Sequence, residues 1–340
     1  MSNQPQAPPP YDGEFTGVWQ LPPPSYSEAV AEPSNQLAHE VLIVCGGWDG
    51  DRALDTMEMF DPTKGEWSML PNMMAPRRDH GAVVVGNFMY VVGGWNMEPY
   101  YSSTEKYNIT LRSWSRSAPL SGPRGWPGVA AMGDFIYCVG GYDHKEKALK
   151  VVERMNVREE RWESIKGLNK ARGGCGLVEH SGCLYAIGGY NGDRALKSVE
   201  RFDPKEGKWR TMADMDIRRE DLSHSCAVYN NNIVVMGGVD DDEKPLASGS
   251  IYNPATDNWR SMQAHLVREK RGLSISVVGG VMFAAGGEDR NDQNLEMVMM
   301  FDTNSQAWQP WHPMRGGRAG HAAVVIRPQQ QPIGAGGFAF

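Results

Sequence analysis

The stretch GAVVVGNFMYVVGGW, Gly81 to Trp95, decides the fold. An apolar, β-branched run from Gly81 to Val85 meets Gly86 and Asn87, and a second run from Phe88 to Val92 ends in a glycine pair. Two such runs around a glycine-asparagine dipeptide predict a β-hairpin. Outward from Gly93 and Gly94, the pair recurs at Gly46 and Gly47, Gly140 and Gly141, Gly188 and Gly189, Gly237 and Gly238, and Gly286 and Gly287. The steps are 47, 47, 48, 49 and 49 residues. A tryptophan follows each pair, at Trp67, Trp114, Trp162, Trp209, Trp259 and Trp308. Six residues before each tryptophan stands Asp61, Asn108, Asn156, Asp203, Asn253 or Asp302, a short polar side chain that bonds its own backbone in a turn. One residue earlier stands a large apolar anchor: Phe60, Tyr107, Met155, Phe202, Tyr252 or Phe301.

Each unit has room for four short strands, and units of this length repeated in series predict β-propeller blades. The β-branched alternation and the glycine density exclude a helical solenoid of similar period. The expectation is all-β: a six-bladed propeller over residues 39–327, with four antiparallel strands per blade. Val41 to Cys45 reads as a second strand with no first strand before it, and Gly320 to Ile326 as an orphan first strand. The two ends together complete one blade, which removes sheet edges open to other chains. Pro328 and Pro332 disfavour a further central strand, so residues 328–340 read as a tail.

These units resemble the kelch repeat. The resemblance lies in the glycine pair, in a third strand carrying Glu58, Glu105, Glu153 or Glu200, in the turns at Asp61 and Pro62 and at Asp203 and Pro204, and in the tryptophan. It implies that the glutamate supports blade packing. Units five and six depart from it, with Ser250 and Met299 at that position.

The chain has 340 residues, with 34 Lys and Arg against 41 Asp and Glu, a formal net charge of −7. At 41% apolar and 22% charged residues, a wholly disordered chain is excluded. No long basic run offers a nucleic-acid surface held by phosphate contacts. Neither a secretory signal nor an apolar run near 18 residues is present, so the chain reads as cytoplasmic, without membrane insertion. Its five cysteines form no CxxC pair and read as reduced core thiols. No histidine pair has metal-ligand spacing, no glycine loop leads a strand into a helix, and no nucleophile, base and orienter are placed together. The expectation is therefore a non-enzyme with no cofactor and no metal.

Strand direction brings the loops between second and third strands and the loops between blades to one face. Trp48, Trp95, Tyr142 and Tyr190 follow the glycine pairs there, while Arg77, Arg124 and Arg172 stand sixteen residues before them, with Arg219 and Lys270 in the later units. Two readings fit. The cations satisfy carbonyls between blades, or they join the aromatics in a pocket for a short acidic peptide, since guanidinium matches carboxylate and aromatics enrich binding hot spots. The kelch resemblance implies a substrate face at these loops, as in receptors of cullin ubiquitin ligases.

Residues 1–38 are proline-rich, lack the repeat, and predict an unstructured arm of partly polyproline II character. Two PPxY motifs lie in it, marked by Pro8, Pro9 and Tyr11 and by Pro23, Pro24 and Tyr26. Paired prolines over an aromatic groove, with a tyrosine in a second pocket, are what WW domains read. The motifs resemble ligands of HECT-type ubiquitin ligases. Fifteen residues between the tyrosines span about 20 Å as a coil or about 45 Å as polyproline II, within reach of tandem WW domains. The expectation is a monomeric adaptor whose ring captures a protein while its arm recruits a ligase. The arm is too short for the BTB and BACK domains of kelch-like cullin receptors. A cullin receptor, an actin scaffold, and a mere substrate of the recruited ligase are the alternatives.

Overall fold

The structure, a computed structural model, describes residues 40–327. The arm with its PPxY motifs and the tail lie outside these residues. Each blade is one four-stranded sheet. Blade one holds β1 (Val41–Cys45), β2 (Met57–Asp61) and β3 (Glu66–Leu70). Blade two holds β4 (Gly81–Val85), β5 (Phe88–Val92), β6 (Thr104–Asn108) and β7 (Ser113–Ser117), and blade three β8 (Gly128–Met132), β9 (Phe135–Val139), β10 (Val152–Asn156) and β11 (Arg161–Ser164). Blade four follows with β12 (Gly176–His180), β13 (Cys183–Ile187), β14 (Val199–Asp203) and β15 (Lys208–Met212), and blade five with β16 (Cys226–Tyr229), β17 (Asn232–Met236), β18 (Gly249–Asn253) and β19 (Asn258–Met262). Blade six comprises β20 (Ser274–Val278), β21 (Val281–Ala285), β22 (Val298–Asp302) and β23 (Ala307–Trp311). The last strand, β24 (Ala322–Ile326), returns to blade one, whose order is β24-β1-β2-β3, and Ile43 faces Val324 across the closing ladder. All pairings are antiparallel, and no helix occurs among the described residues.

The fixed spacing from anchor to tryptophan has a physical origin. Each anchor faces its tryptophan across the outer hairpin, as Phe60 faces Trp67, Phe202 faces Trp209 and Tyr252 faces Trp259, with ring centroids 4.9–5.2 Å apart. The Asp or Asn closes the turn between them: Asp203 accepts the Lys205 amide at 3.0 Å and Asn253 the Ala255 amide at 2.9 Å. One residue more or less would turn one partner to the other face of the sheet.

Apolar clusters fill the seams between neighbouring blades. Ile43, Met57 and Leu70 of blade one pack with Met89, Val91 and Tyr107 of blade two, for example. The innermost strands approach so closely that a Cβ at Gly81 would lie 2.0 Å from Val129. Gly93 and Gly94 both hold left-handed φ angles, and a Cβ on Gly93 would meet the Arg124 carbonyl at 2.5 Å, which is why the pair recurs at each inner corner. Cys45, Cys138, Cys175 and Cys183 are buried and unbridged, Cys226 is half-buried and unbridged, and burial pushes Cys138 and Cys175 up to about 11.

Candidate functional site

The two loop sets do meet on one face. The residue after each glycine pair bridges the residue after Arg77, Arg124, Arg172, Arg219, Lys270 or Arg318, here called the clamp positions: Trp48 with Ala319, Trp95 with Arg78, Tyr142 with Gly125, Tyr190 with Gly173, Val239 with Glu220, and Glu288 with Arg271. One residue further on lies an inner ring, Asp79, Trp126, Gly174, Asp221, Gly272 and Gly320, all in the left-handed region with φ from 48° to 62°. Backbone bonds run around it. The Asp79 amide donates to Gly320 O at 2.7 Å, Trp126 to Asp79 O at 2.9 Å, Gly174 to Trp126 O at 2.9 Å, and Gly320 to Gly272 O at 2.8 Å. In blade five the loop is longer, with eighteen residues from Arg219 to Gly237 against sixteen from Arg172 to Gly188. The extra length carries half-buried His224 across the axis, its Nε2 lying 2.5 Å from the His80 carbonyl oxygen of blade two.

The cations expected on this face lie elsewhere. Arg77, Arg124, Arg172, Arg219 and Lys270 are at most 2% exposed and none lines the mouth. Each arginine reaches sideways into the next blade. Arg172 donates to Gly188 O at 2.7 Å, to Ser198 O at 2.9 Å and to Glu200 at 2.8 Å. Arg77 likewise holds Gly93 O at 2.8 Å and pairs with Glu105, Arg124 pairs with Glu153, and Arg318 closes the ring on Glu58. The second carboxylate oxygen binds back to the preceding blade, as Glu200 Oε2 accepts the Asn169 amide at 2.7 Å. Guanidinium and carboxylate thus tie three segments together, which is the carbonyl-satisfying reading of the arginines. The acidic-peptide expectation rested on these cations and falls with them.

In blade five, with Ser250 in place of the glutamate, Arg219 bonds Gly237 O and Ser248 O, both at 2.9 Å. Its pKa falls to about 10, because burial outweighs the attraction of Asp216. In blade six Lys270 stands opposite the Met299 departure, and its Nζ has no hydrogen-bond partner.

Of the expected aromatics, Trp48, Trp95 and Tyr142 line a mouth cavity of about 560 Å³, whereas Tyr190 sits outside its wall. The sequence reading missed Arg78, Asp79, Trp126, Glu220 and Asp221, which also line it. The signal was available: each lies one or two residues after a clamp position. Arg78 is held between Trp48 and Trp95, 5.1 and 5.4 Å from their ring centroids, with its Nε 2.6 Å from Asp79 Oδ2. Arg271 pairs with Glu288 and lies 3.3 Å from Asp292. Trp126 packs edge-on against Tyr142 with centroids 5.8 Å apart. Burial pushes Glu220 up to about 7, and the neighbouring Asp221 adds to the shift. The Asp221 carboxyl is raised by burial first and then by Asp79. Among the described residues, no three His, Cys, Asp or Glu side chains gather into a metal-binding group. No helix there is long and apolar enough to cross a membrane. The arrangement is a cup with one aromatic wall and one carboxylate wall, suited to holding a ligand.

Six four-stranded blades, glycine-pair corners and a buried arginine-glutamate clamp define a kelch propeller. A family model described as the KLHDC2/KLHL20/DRC7 kelch-repeats domain matches residues 126–337, and the kelch motif matches 39–74 and 76–121. The chain belongs to the kelch-repeat family. It is similar to beta-scruin of Limulus polyphemus, 32% identical over 124 residues that cover 35% of this chain and 13% of that protein. An F-box/kelch-repeat protein of Arabidopsis thaliana is 27% identical, over 36% of this chain and 31% of its own length. Kelch-like protein 36 of Bos taurus is 27% identical over 42% of this chain and 23% of its own length. The chain thus spans less than a third of each of these relatives. Among solved structures, that of YjhT superposes with a TM-score of 0.65 at 12% identity, covering 79% of this chain and 96% of that one, a likeness of fold.

Proposed function

We propose that the chain is a non-enzymatic adaptor in which the propeller mouth captures a protein and the PPxY arm, residues 1–38, recruits a WW-domain ubiquitin ligase of the HECT type. The mouth cavity, of the size that takes a ligand and walled by Trp48, Trp95, Trp126 and Tyr142, is the observation that carries the capture half. Kelch-like and F-box/kelch relatives support a protein-interaction role for the ring. The recruiting half rests on the two PPxY motifs and their spacing.

Titration of a tandem WW-domain protein onto the intact chain tests recruitment. The expected result is avid binding that falls roughly a hundredfold when either Tyr11→Ala or Tyr26→Ala breaks bivalency, and vanishes in the double variant. Equal binding to the double variant would overturn it. A second reading, an actin scaffold, rests on the kelch resemblance of the repeats. Co-sedimentation of the purified chain with filaments checks it.

A further inference from the structure

The mouth places Trp126 and Tyr142 on one side and Glu220 and Asp221 on the other, with Gly173 and Gly174 between them. The glycines keep the gap open, since a Cβ at Gly173 would lie 2.2 Å from the Tyr142 ring, and one at Gly174 would sit 3.2 Å from the Asp221 amide and 4.0 Å from the Trp126 ring. The two cations of the cavity wall are already committed, Arg78 to Asp79 and the flanking indoles, Arg271 to Glu288 and Asp292. Against them stand Asp79, Glu220, Asp221 and Glu288, four carboxyls against two cations, so the wall is formally −2 once all four are ionised. Among the described residues, neither Glu220 nor Asp221 has an ion-pair partner.

We propose that this cup receives a cationic side chain, a lysine or arginine presented by a protein partner, with its charged head against Glu220 and Asp221 and its stem along the Trp126 and Tyr142 rings. This rests on the reading that the mouth captures a protein. Aromatic faces attract organic cations, and apolar stems of Lys and Arg lie well on such rings while their heads reach polar groups. The volume of about 560 Å³ exceeds what one side chain fills, which leaves space for flanking residues of a polypeptide and favours it over a bare amine.

The charges facing the pair give the pH dependence its direction. Glu220 meets Asp221, Glu243 and Asp241, with Arg271 opposing them; Asp221 meets Asp79 and Glu288, with Arg78 and Arg271 opposing; the Tyr142 hydroxyl feels both carboxyls. A bound cation favours the ionised carboxyls, so its binding tightens as pH rises through about 7 and releases protons. An acidic ligand would show the opposite slope.

The test is selection of a displayed random heptapeptide library on the intact chain at pH 8, keeping clones that lose binding to Trp126→Ala, or to Trp48→Ala if the first variant does not melt cooperatively. Lys or Arg enriched at one position is expected. A synthetic peptide of that sequence should bind at least tenfold more weakly to a Glu220→Gln, Asp221→Asn double variant, and several-fold more weakly at pH 6 than at pH 8. Asn tolerates the left-handed backbone at 221, so this variant keeps the fold. Mouth-dependent peptides without a cation, or a peptide indifferent to the double variant, would overturn the cation while leaving capture by the mouth intact. A selection with no mouth-dependent clone would contradict both.

Discussion

Lys270 stands in blade six where an arginine holds the matching place in the other five seams, and Met299 stands where four blades carry glutamate. Both departures fall in one seam; blade five, with Ser250 for the glutamate, keeps Arg219 because its carbonyl bonds remain. The remaining ammonium is fully buried, its Nζ has no hydrogen-bond partner, and burial, with repulsion from Arg268, lowers its pKa from 10.5 to about 8, Asp289 opposing. The unfolded chain therefore binds more protons between pH 8 and 10.5, so this residue's penalty is complete below about 8 and fades as pH rises toward 10.5. Lys270→Met is expected to stabilise the ring by about 1–3 kcal/mol at pH 7, with the gain shrinking toward pH 10. Denaturant unfolding at both pH values checks it, and an equal loss at both would show a partnered ammonium. Glu200→Ala does the reverse: it strands Arg172 and is expected to cost about 3–5 kcal/mol in the same assay.

At the scale of the element, the outer strand of a blade is tied to its predecessor through the tryptophan. The indole Nε1–H donates to His312 O from Trp67, to Pro71 O from Trp114, to Ala118 O from Trp162, to Lys166 O from Trp209 and to Ala213 O from Trp259, at 2.8–3.0 Å. In Trp308 that donor is buried and unpartnered. Trp209→Phe is expected to cost about 1–2 kcal/mol more than Trp308→Phe, read from unfolding midpoints. Strand pairs, anchors and turns were legible in the sequence because period, spacing and turn chemistry constrain them directly. The arginines were legible as a recurring position, but spacing does not say where a side chain points. Their sixteen-residue offset from the glycine pair, eighteen in blade five, was a packing constraint, the clamp onto the next blade's corner. Trp126, Glu220 and Asp221 were marked by position alone, one or two residues after a clamp position, because the residue type there changes from blade to blade.

For the whole molecule, closure by β24 joins residues almost 300 positions apart. Removing residues 320–340 exposes the β1 edge and takes Ala322, Val324 and Ile326 from the seam with blade two. The expected outcome is loss of a cooperative thermal melt, since each blade packs only on its neighbours. A truncated chain melting like the intact one would refute closure as the source of ring stability. The two halves of the proposed function fall on different residues, the ring and the segment 1–38, so each can be removed by itself. The most direct measurement is quantitative mass spectrometry of proteins purified from cells with the intact chain, a Tyr11→Ala, Tyr26→Ala variant and a Trp126→Ala variant. The adaptor requires two non-overlapping losses, WW-domain ligases from the arm variant and a distinct set of partners from the mouth variant. Ligases retained on the arm variant, or a mouth variant that loses nothing, would contradict it.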